Sequence, residues 1–141
     1  MKWAMSRLVV EGYEVFAGKG QCIVWRSPPM YGNSTFFNIG LEQGKTKPDV
    51  GRFNVTKAPS DMSAFETPTL RSIESSGPYF HNGSVTKLKN AVRYMAGGGK
   101  PDPSKSPILR DTLLGDKKVS QVVAFLKALT STETWEQPKL P

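Results

Sequence analysis

The chain has 141 residues, including 13 glycines and 11 prolines that predict a loop-rich protein of ordinary globular composition. Its length predicts a single domain, and its one cysteine excludes an internal disulfide framework. The formal net charge of +7 comes from basic residues spread along the chain without a dense run or stripe, so nucleic-acid binding has no support beyond that charge.

No segment of the chain has the pattern of a membrane span or of a secretory signal. No apolar run approaches the roughly 18 residues of a membrane-crossing helix, so no membrane is expected as a partner. The apolar patch that follows Met5 is too short, and too soon followed by a charge, for a secretory signal. Two interpretations stay open from these observations alone, a cytoplasmic protein or a piece of a longer one.

The first predicted helix covers residues 2–16. Its apolar face is formed by Leu8, Val9, Tyr13 and Phe16, which recur near helical spacing. Gly12 lies inside this helix, where glycine costs about 1 kcal/mol relative to alanine, so we expect a close backbone contact there. Gly18 and Gly20 are expected to end the helix.

A long loop is predicted from residue 27 to residue 68. Forty residues without strong periodicity exceed an ordinary connection, and such loops usually wrap a cofactor, a metal or another domain. The apolar lining is assigned to Phe36, Phe37, Ile39 and Phe53. The carboxylate of Asp49 is expected to anchor the D-V-G-R segment.

Two helices and a turn are predicted in the next part of the chain. The first helix covers residues 69–74, with Thr67 as its N-cap. A tight turn is expected at residues 81–84. The second helix covers residues 86–95 and is stopped by three glycines at 97–99, with Val85, Leu88, Val92 and Met95 on one face.

The last helix has the clearest pattern. Asp116 is predicted as its N-cap, and Lys127 near its C-terminal end complements the helix dipole. The apolar stripe consists of Val119, Val122, Val123, Leu126 and Leu129. Residues 132–141 are predicted to form a mobile tail. No segment alternates in the manner of a strand, so the predicted fold class is all-α with long loops.

An incomplete haem-attachment motif surrounds the single cysteine. Covalent haem requires C-x-x-C-H, in which two thiols bind the vinyl groups and the imidazole binds the iron. Cys22 occupies the first position, but Trp25 stands in place of the second cysteine and Arg26 in place of the histidine. An indole cannot form a thioether, and a guanidinium stays protonated and offers no lone pair to iron. We interpret the segment as a damaged haem site and not as a chance run around a lone cysteine.

The ordered set of motifs carries a family resemblance. It runs G-Y-E-V-F-A-G-K-G-Q-C, F-F-N-I-G-L, D-V-G-R-F-N-V-T, F-E-T-P-T-L-R-S-I, G-P-Y-F-H-N-G-S, A-V-R-Y-M-A-G-G-G and V-V-A-F-L-K-A-L-T. From about Gly12 to Thr130 the chain resembles the C-terminal haem domain of the bacterial di-haem cytochrome c peroxidase and MauG-like family. The T-P-T-L-R and P-Y-F-H-N-G blocks are the most specific parts of this likeness.

The resemblance implies one cytochrome c-like domain over residues 1–131, in which Gly12, Phe16 and Phe125 form the contact between the first and last helices. It implies haem c as cofactor, hydrogen peroxide as the substrate of the whole protein, and a periplasmic location. This domain would be the half that passes electrons, supplied by a small cytochrome or cupredoxin. An N-terminal domain with a second haem would complete the protein.

Five positions match haem-binding positions of the family. Cys22 matches the first haem-linking cysteine, and Met95 matches the distal iron ligand, a soft thioether. Arg52 and Arg71 resemble arginines near the haem edge, where propionates need cationic partners. His81, the only histidine, resembles a family histidine near the haem and the domain interface. Each has a structural alternative: a free buried thiol, a core methionine, ordinary surface or loop-anchoring arginines and a hydrogen-bonded turn histidine.

Ser76 and Pro78 match positions that, in the family, help to hold a calcium ion between the two domains. Hard oxygen ligands suit this ion, which takes six or more of them. Part of that set would come from the other domain or from water.

Two functional hypotheses follow from the sequence. The first is a haem-binding electron-transfer domain of a di-haem peroxidase-like oxidoreductase, in which the chain itself supplies no catalytic residue and the isolated chain does not turn over peroxide. The second is a haem-less descendant or fragment, a binding or structural module that has kept the fold and in which Trp25 fills part of the haem volume.

Overall fold

The computed structural model describes residues 5–133, 136 and 138, and these residues form four α-helices and one small sheet. The helices are α1 (Arg7–Ala17), α2 (Phe53–Thr56), α3 (Leu88–Ala96) and α4 (Asp116–Lys127). Strands β1 (Phe36–Phe37) and β2 (Phe65–Glu66) pair antiparallel, with Phe36 opposite Glu66 and Phe37 opposite Phe65. Single 3-10 turns lie at Cys22–Val24, Pro59–Asp61 and Ile73–Ser75.

Helix α1 crosses α4 at close range. A Cβ atom added to Gly12 would lie 2.0 Å from the carbonyl oxygen of Gln121, so only glycine lets the two backbones approach this closely. Beside the crossing, the rings of Phe16 and Phe125 lie 5.1 Å apart and are almost fully buried. The predicted contact between the first and last helices is confirmed.

The core lies between α1, α3 and α4. Its buried members come from all three helices and are Phe16, Val92, Val119, Val122, Phe125 and Leu126. At the edge of this core, Asp116 accepts hydrogen bonds from Lys89 and Arg93, which ties the start of α4 to α3. Asp116 is the first residue of α4, and Gly115 is the N-cap in its place.

An antiparallel seam organises much of the predicted long loop. We use "the seam" for residues 26–37 paired with residues 65–71, which include β1 and β2. Beyond the strands, the backbone N–H of Thr67 donates to Thr35 O at 2.8 Å, and that of Leu70 donates to Tyr31 O at 3.0 Å. The Thr69 hydroxyl donates to Met30 O. The seam thus continues well past the two short strands.

The seam explains why the predicted helix at 69–74 is wrong. Thr69 and Leu70 are bonded across the seam, so their segment is held in a non-helical path until the 3-10 turn at Ile73–Ser75. Helix α3 also begins later than predicted, at Leu88, because the carbonyl of Val85 accepts the backbone N–H of Tyr79 at 2.7 Å. In both places long-range or turn hydrogen bonds override a weak local propensity.

The predicted all-α class is wrong. Only 34% of the described residues are helical, and the two-stranded antiparallel sheet makes the architecture mixed, with long irregular segments. The anchoring role of Asp49 is confirmed, because its carboxylate accepts the backbone N–H of Gly51 at 2.9 Å. None of the described helices is long and apolar enough to cross a membrane. The start of the first predicted helix, at residues 2–4, and most of the predicted mobile tail fall outside the described residues.

Candidate functional site

Cys22 begins a 3-10 turn directly after α1. Its carbonyl accepts the backbone N–H groups of Trp25 and Arg26 at 3.2 and 3.1 Å, which closes the turn. Its thiol donates to Gly20 O at 3.4 Å and packs against the helical core. Burial raises the pKa of Cys22 to about 11, so the thiol is protonated and poorly nucleophilic at neutral pH.

Trp25 is an interior residue. It is 7% exposed, and its ring meets the ring of Phe37 on β1 edge to face, with centroids 4.8 Å apart. An indole in this position supplies packing and no sulfur, so a second thioether link to haem does not fit the residues present.

Arg26 occupies the histidine position of the C-x-x-C-H spacing that begins at Cys22, and its side chain is hydrogen-bonded to the backbone of a distant segment. Its Nη1 donates to the carbonyl oxygen of Pro68, on the opposite side of the seam. Burial lowers its pKa to about 10, which still leaves the guanidinium charged at neutral pH and without a lone pair. A proximally ligated haem therefore does not fit this position.

Met95 lies in the last turn of α3, partly buried, one turn after the core residue Val92. Cys22 packs against the same apolar cluster that contains Val92, so side chains occupy the interior there. A cavity of about 220 Å³ opens between the two halves of the seam, and its lining includes neither Cys22 nor Met95. It is below the ~300–1,000 Å³ usual for cofactor-sized ligands. Its lining residues are Met30, Gly32, Asn33, Ser34, Glu66, Thr67, Pro68 and Thr69.

The two arginines assigned to the haem edge have partners within the chain. The guanidinium of Arg52 lies 4.0 Å from the ring centre of Phe36, and its Nε is 3.3 Å from Asp61 Oδ2. The Nε of Arg71 donates to Pro29 O at 3.0 Å, across the seam. Contact with a propionate stays a prediction for both.

His81 forms part of a polar cluster that the sequence did not reveal. Its Nε2 lies 2.8 Å from Oε1 of Glu42, and its ring stacks on Phe65 at 3.5 Å with an interplanar angle of 6°. Glu42, with a side chain only 4% exposed, also accepts from Lys45 Nζ at 2.6 Å and from the backbone N–H of Asp49 at 2.8 Å. In the sequence, Glu42 is visible only as a single acidic residue after the mostly apolar segment F-F-N-I-G-L.

The hydrogen bonds of Glu42 are expected to make the free energy of unfolding fall as the pH becomes acidic. Burial alone would raise the pKa of Glu42, but hydrogen bonds from Lys45, Asp49 and His81 outweigh it and hold the pKa at about 2. A lowered folded-state pKa gives stability that is present above the ordinary value near 4.5 and is lost as pH falls toward 2. The contribution is at most about 3 kcal/mol.

We therefore expect Glu42→Gln to flatten the decline of the unfolding free energy between pH 5 and pH 2, measured by urea titration. The same substitution at the exposed Glu66 controls for the loss of one charge. Parallel curves for the wild type and Glu42→Gln would contradict the network.

The residues assigned to calcium are at the surface. Ser76 and Pro78 are both exposed, and the Ser76 hydroxyl donates to Ile73 O at 3.1 Å. Within the described residues no group of three or more His, Cys, Asp or Glu side chains is placed to hold a metal. The calcium role of Ser76 and Pro78 stays a prediction.

Comparison with known proteins confirms the family resemblance. The chain is 32% identical over 170 residues to a cytochrome c peroxidase of Denitromonas iodatirespirans and 35% identical over 143 residues to the cytochrome c551 peroxidase of Nitrosomonas europaea. Each alignment covers 99% of this chain. A MauG protein of Methylorubrum extorquens is 31% identical over 84% of the chain. No protein-family model matches the chain.

Solved structures share the fold. A MauG-like protein associated with microbial copper homeostasis superposes with a TM-score of 0.78 at 24% identity, over 90% of this chain and 48% of that one. The diheme peroxidase BthA from Burkholderia thailandensis gives 0.74 at 15% identity, over 93% of this chain and 44% of that one.

The chain is homologous to one part of the proteins of the bacterial cytochrome c peroxidase and MauG family. It spans 45% of the Denitromonas protein and 40% of the Nitrosomonas protein, which is less than half the length of either.

Proposed function

We propose that this chain is the counterpart of the electron-transfer haem domain of a di-haem cytochrome c peroxidase or MauG-like oxidoreductase. The observation that supports this most is the homology to peroxidases over 99% of the chain, together with the shared fold. In that assignment the whole protein reduces hydrogen peroxide, and this domain lies on the path of the electrons.

The proposed function also implies partner proteins, a second domain and a cellular compartment. A small cytochrome or cupredoxin would deliver electrons, a second haem domain would meet the peroxide, and the periplasm would be the compartment. A calcium ion near Ser76 and Pro78 would join the two domains. The isolated chain is not expected to turn over peroxide, because the reaction centre of such a protein lies in the other domain.

Haem would supply the redox chemistry of the domain, and the residues present fit it only in part. Cys22 offers one thiol and Met95 one thioether, whereas Trp25 and Arg26 offer neither a second link nor an iron ligand. The contributions of the chain itself are a helical frame, a partly buried protonated thiol and the Glu42–His81 cluster, which orders the loop that carries Asp49.

A second candidate function is a module that has kept the fold without haem. The observation that favours it is the engagement of Arg26 with Pro68 and of Trp25 with Phe37, which leaves both side chains with protein partners. Such a module would act through binding or through support of a neighbouring domain.

The visible spectrum tests both candidates. The chain is produced in a bacterial periplasm with cytochrome maturation factors, beside the double variant Trp25→Cys/Arg26→His, which restores C-x-x-C-H. We expect no Soret band that survives acid-acetone extraction in the wild type, and such a band in the double variant.

Each alternative spectrum has a definite meaning. A covalent band in the wild type would establish a thioether through Cys22 and exclude the haem-free module. An extractable band would establish non-covalent haem. A double variant that folds but stays colourless would contradict the assignment of Cys22 to Arg26 as a haem site.

A further inference from the structure

We propose that Trp25 and Arg26 have converted the haem-anchoring turn into an internal brace, so that this domain folds stably without haem. "The brace" means the contacts of Trp25 with Phe37 and of Arg26 with Pro68. The interpretation of position 26 as a former iron-ligand position rests on the proposed function. The contacts of Trp25 and Arg26 do not depend on it.

Arg26 closes one end of the brace. It lies 42 residues from Pro68 in sequence, and its guanidinium donates to the Pro68 carbonyl across the seam. Such a bond fixes the turn after α1 to the T-P-T-L segment, and a hydrogen bond from a charged donor stabilises more than a neutral one. A neutral imidazole at this position would have one ring N–H donor at most and a shorter reach.

Trp25 closes the other end. Its ring is buried and meets Phe37, which is paired with Phe65 in the sheet. The two adjacent side chains therefore contact both halves of the seam, one at Phe37 and the other at Pro68. A residue left over from a decayed site would be free to turn into solvent, yet Trp25 is 7% exposed.

The contacts of the Cys22 thiol are consistent with the brace. Cys22 packs against the cluster that contains Phe16 and Val92, and its Sγ donates to Gly20 O. The turn that would present a cysteine to a porphyrin is thus satisfied by contacts within the chain. Protein packing in place of a cofactor is expected to give a cooperative core, because close-packed side chains restore the lost dispersion contacts.

The test measures the thermal unfolding of the haem-free chain, made in the cytoplasm without maturation factors. We expect the wild type to unfold cooperatively. Arg26→Ala should lower Tm by about 5 °C and Trp25→Ala by about 10 °C, from the loss of a charge-assisted bond and of a buried aromatic ring.

Two matched controls separate the brace from a general cost of substitution. Arg110 also donates to a proline carbonyl, Pro107 O at 3.1 Å, but across only three residues, so Arg110→Ala should change Tm by less than about 2 °C. Val24 lies in the same turn as Trp25 and is 60% exposed, so Val24→Ala should be equally mild. If Trp25→Ala does not fold, Trp25→Phe is expected to show a smaller, measurable loss.

Two results would overturn the brace: a wild type that is unfolded without haem, or Arg26 and Trp25 variants no less stable than their controls. Neither result touches the family assignment, which is tested separately by haem uptake of the double variant. The brace also predicts that the haem-free form of Trp25→Cys/Arg26→His has a lower Tm than the wild type.

Discussion

Gly12→Ala is expected to lower the free energy of unfolding by about 3 kcal/mol, even though alanine is the better helix former by about 1 kcal/mol. The added Cβ would lie 2.0 Å from the backbone oxygen of Gln121 and 2.9 Å from Cβ of Phe125. Backbone on both sides of the contact cannot rotate away, so α1 and α4 must separate, and core contacts near the crossing are lost. Urea denaturation followed by circular dichroism measures the effect.

Gly115→Ala is the control for this substitution. A Cβ at Gly115 would meet nothing within 4 Å, and the residue does not adopt a positive φ. Gly115→Ala should lower the free energy of unfolding by only about 0.5–1 kcal/mol, because glycine is a better N-cap than alanine. Equal losses at Gly12 and Gly115 would show that the helices do not approach as closely as described.

Phe125→Ala is expected to lower the free energy of unfolding by about 3–5 kcal/mol, the usual range when a buried phenylalanine is truncated. Phe125 is 3% exposed and lies at the centre of an aromatic cluster. Its ring centroid is 5.4 Å from Tyr13, 5.1 Å from Phe16 and 5.7 Å from Tyr31. Truncation would leave a cavity where α4 meets both α1 and the seam. A loss of this size removes much of the ~5–15 kcal/mol that stabilises a typical domain.

The same unfolding measurement on Val55→Ala gives the reference for Phe125→Ala. Val55 is 85% exposed in the short helix α2, so its truncation should change stability by no more than about 0.5 kcal/mol. A Phe125→Ala variant within that range would mean that the aromatic cluster does not form the core.

Together, these two variants and the brace test distinguish two sources of stability. Gly12 and Phe125 test the helical frame, whose fold resembles that of the MauG-like protein and of the diheme peroxidase. Variants of Trp25 and Arg26 test the contacts that this turn makes with Phe37 and Pro68. A frame that is essential and a brace that is not would favour a domain that still depends on a cofactor.

The sequence predicted the features that depend on local or strongly patterned signals. Helix α1 and helix α4 were found because apolar residues recur at helical spacing over three turns. Gly12 was recognised as a close contact because a glycine inside a helix needs a reason. The ordered motifs identified the family, and homology over nearly the whole chain confirmed it.

Other features lay beyond the sequence because their partners are far apart along the chain. Strands β1 and β2 are two residues each and show no alternation, so only their pairing across 28 to 30 positions defines them. The predicted helix at 69–74 failed because hydrogen bonds across the seam outweigh a propensity of a few tenths of a kcal/mol per residue. Glu42 belongs to no sequence motif, because its partners Lys45, Asp49 and His81 come together only in the folded chain.

The sequence alone establishes that position 25 carries an indole and position 26 a guanidinium, and neither group can form a thioether or bind iron. The contacts of those two side chains follow from the folded structure, because Phe37 and Pro68 are brought beside them by the pairing of the seam. Covalent chemistry can be inferred from residue types, whereas packing and hydrogen-bond partners depend on where the chain returns in space.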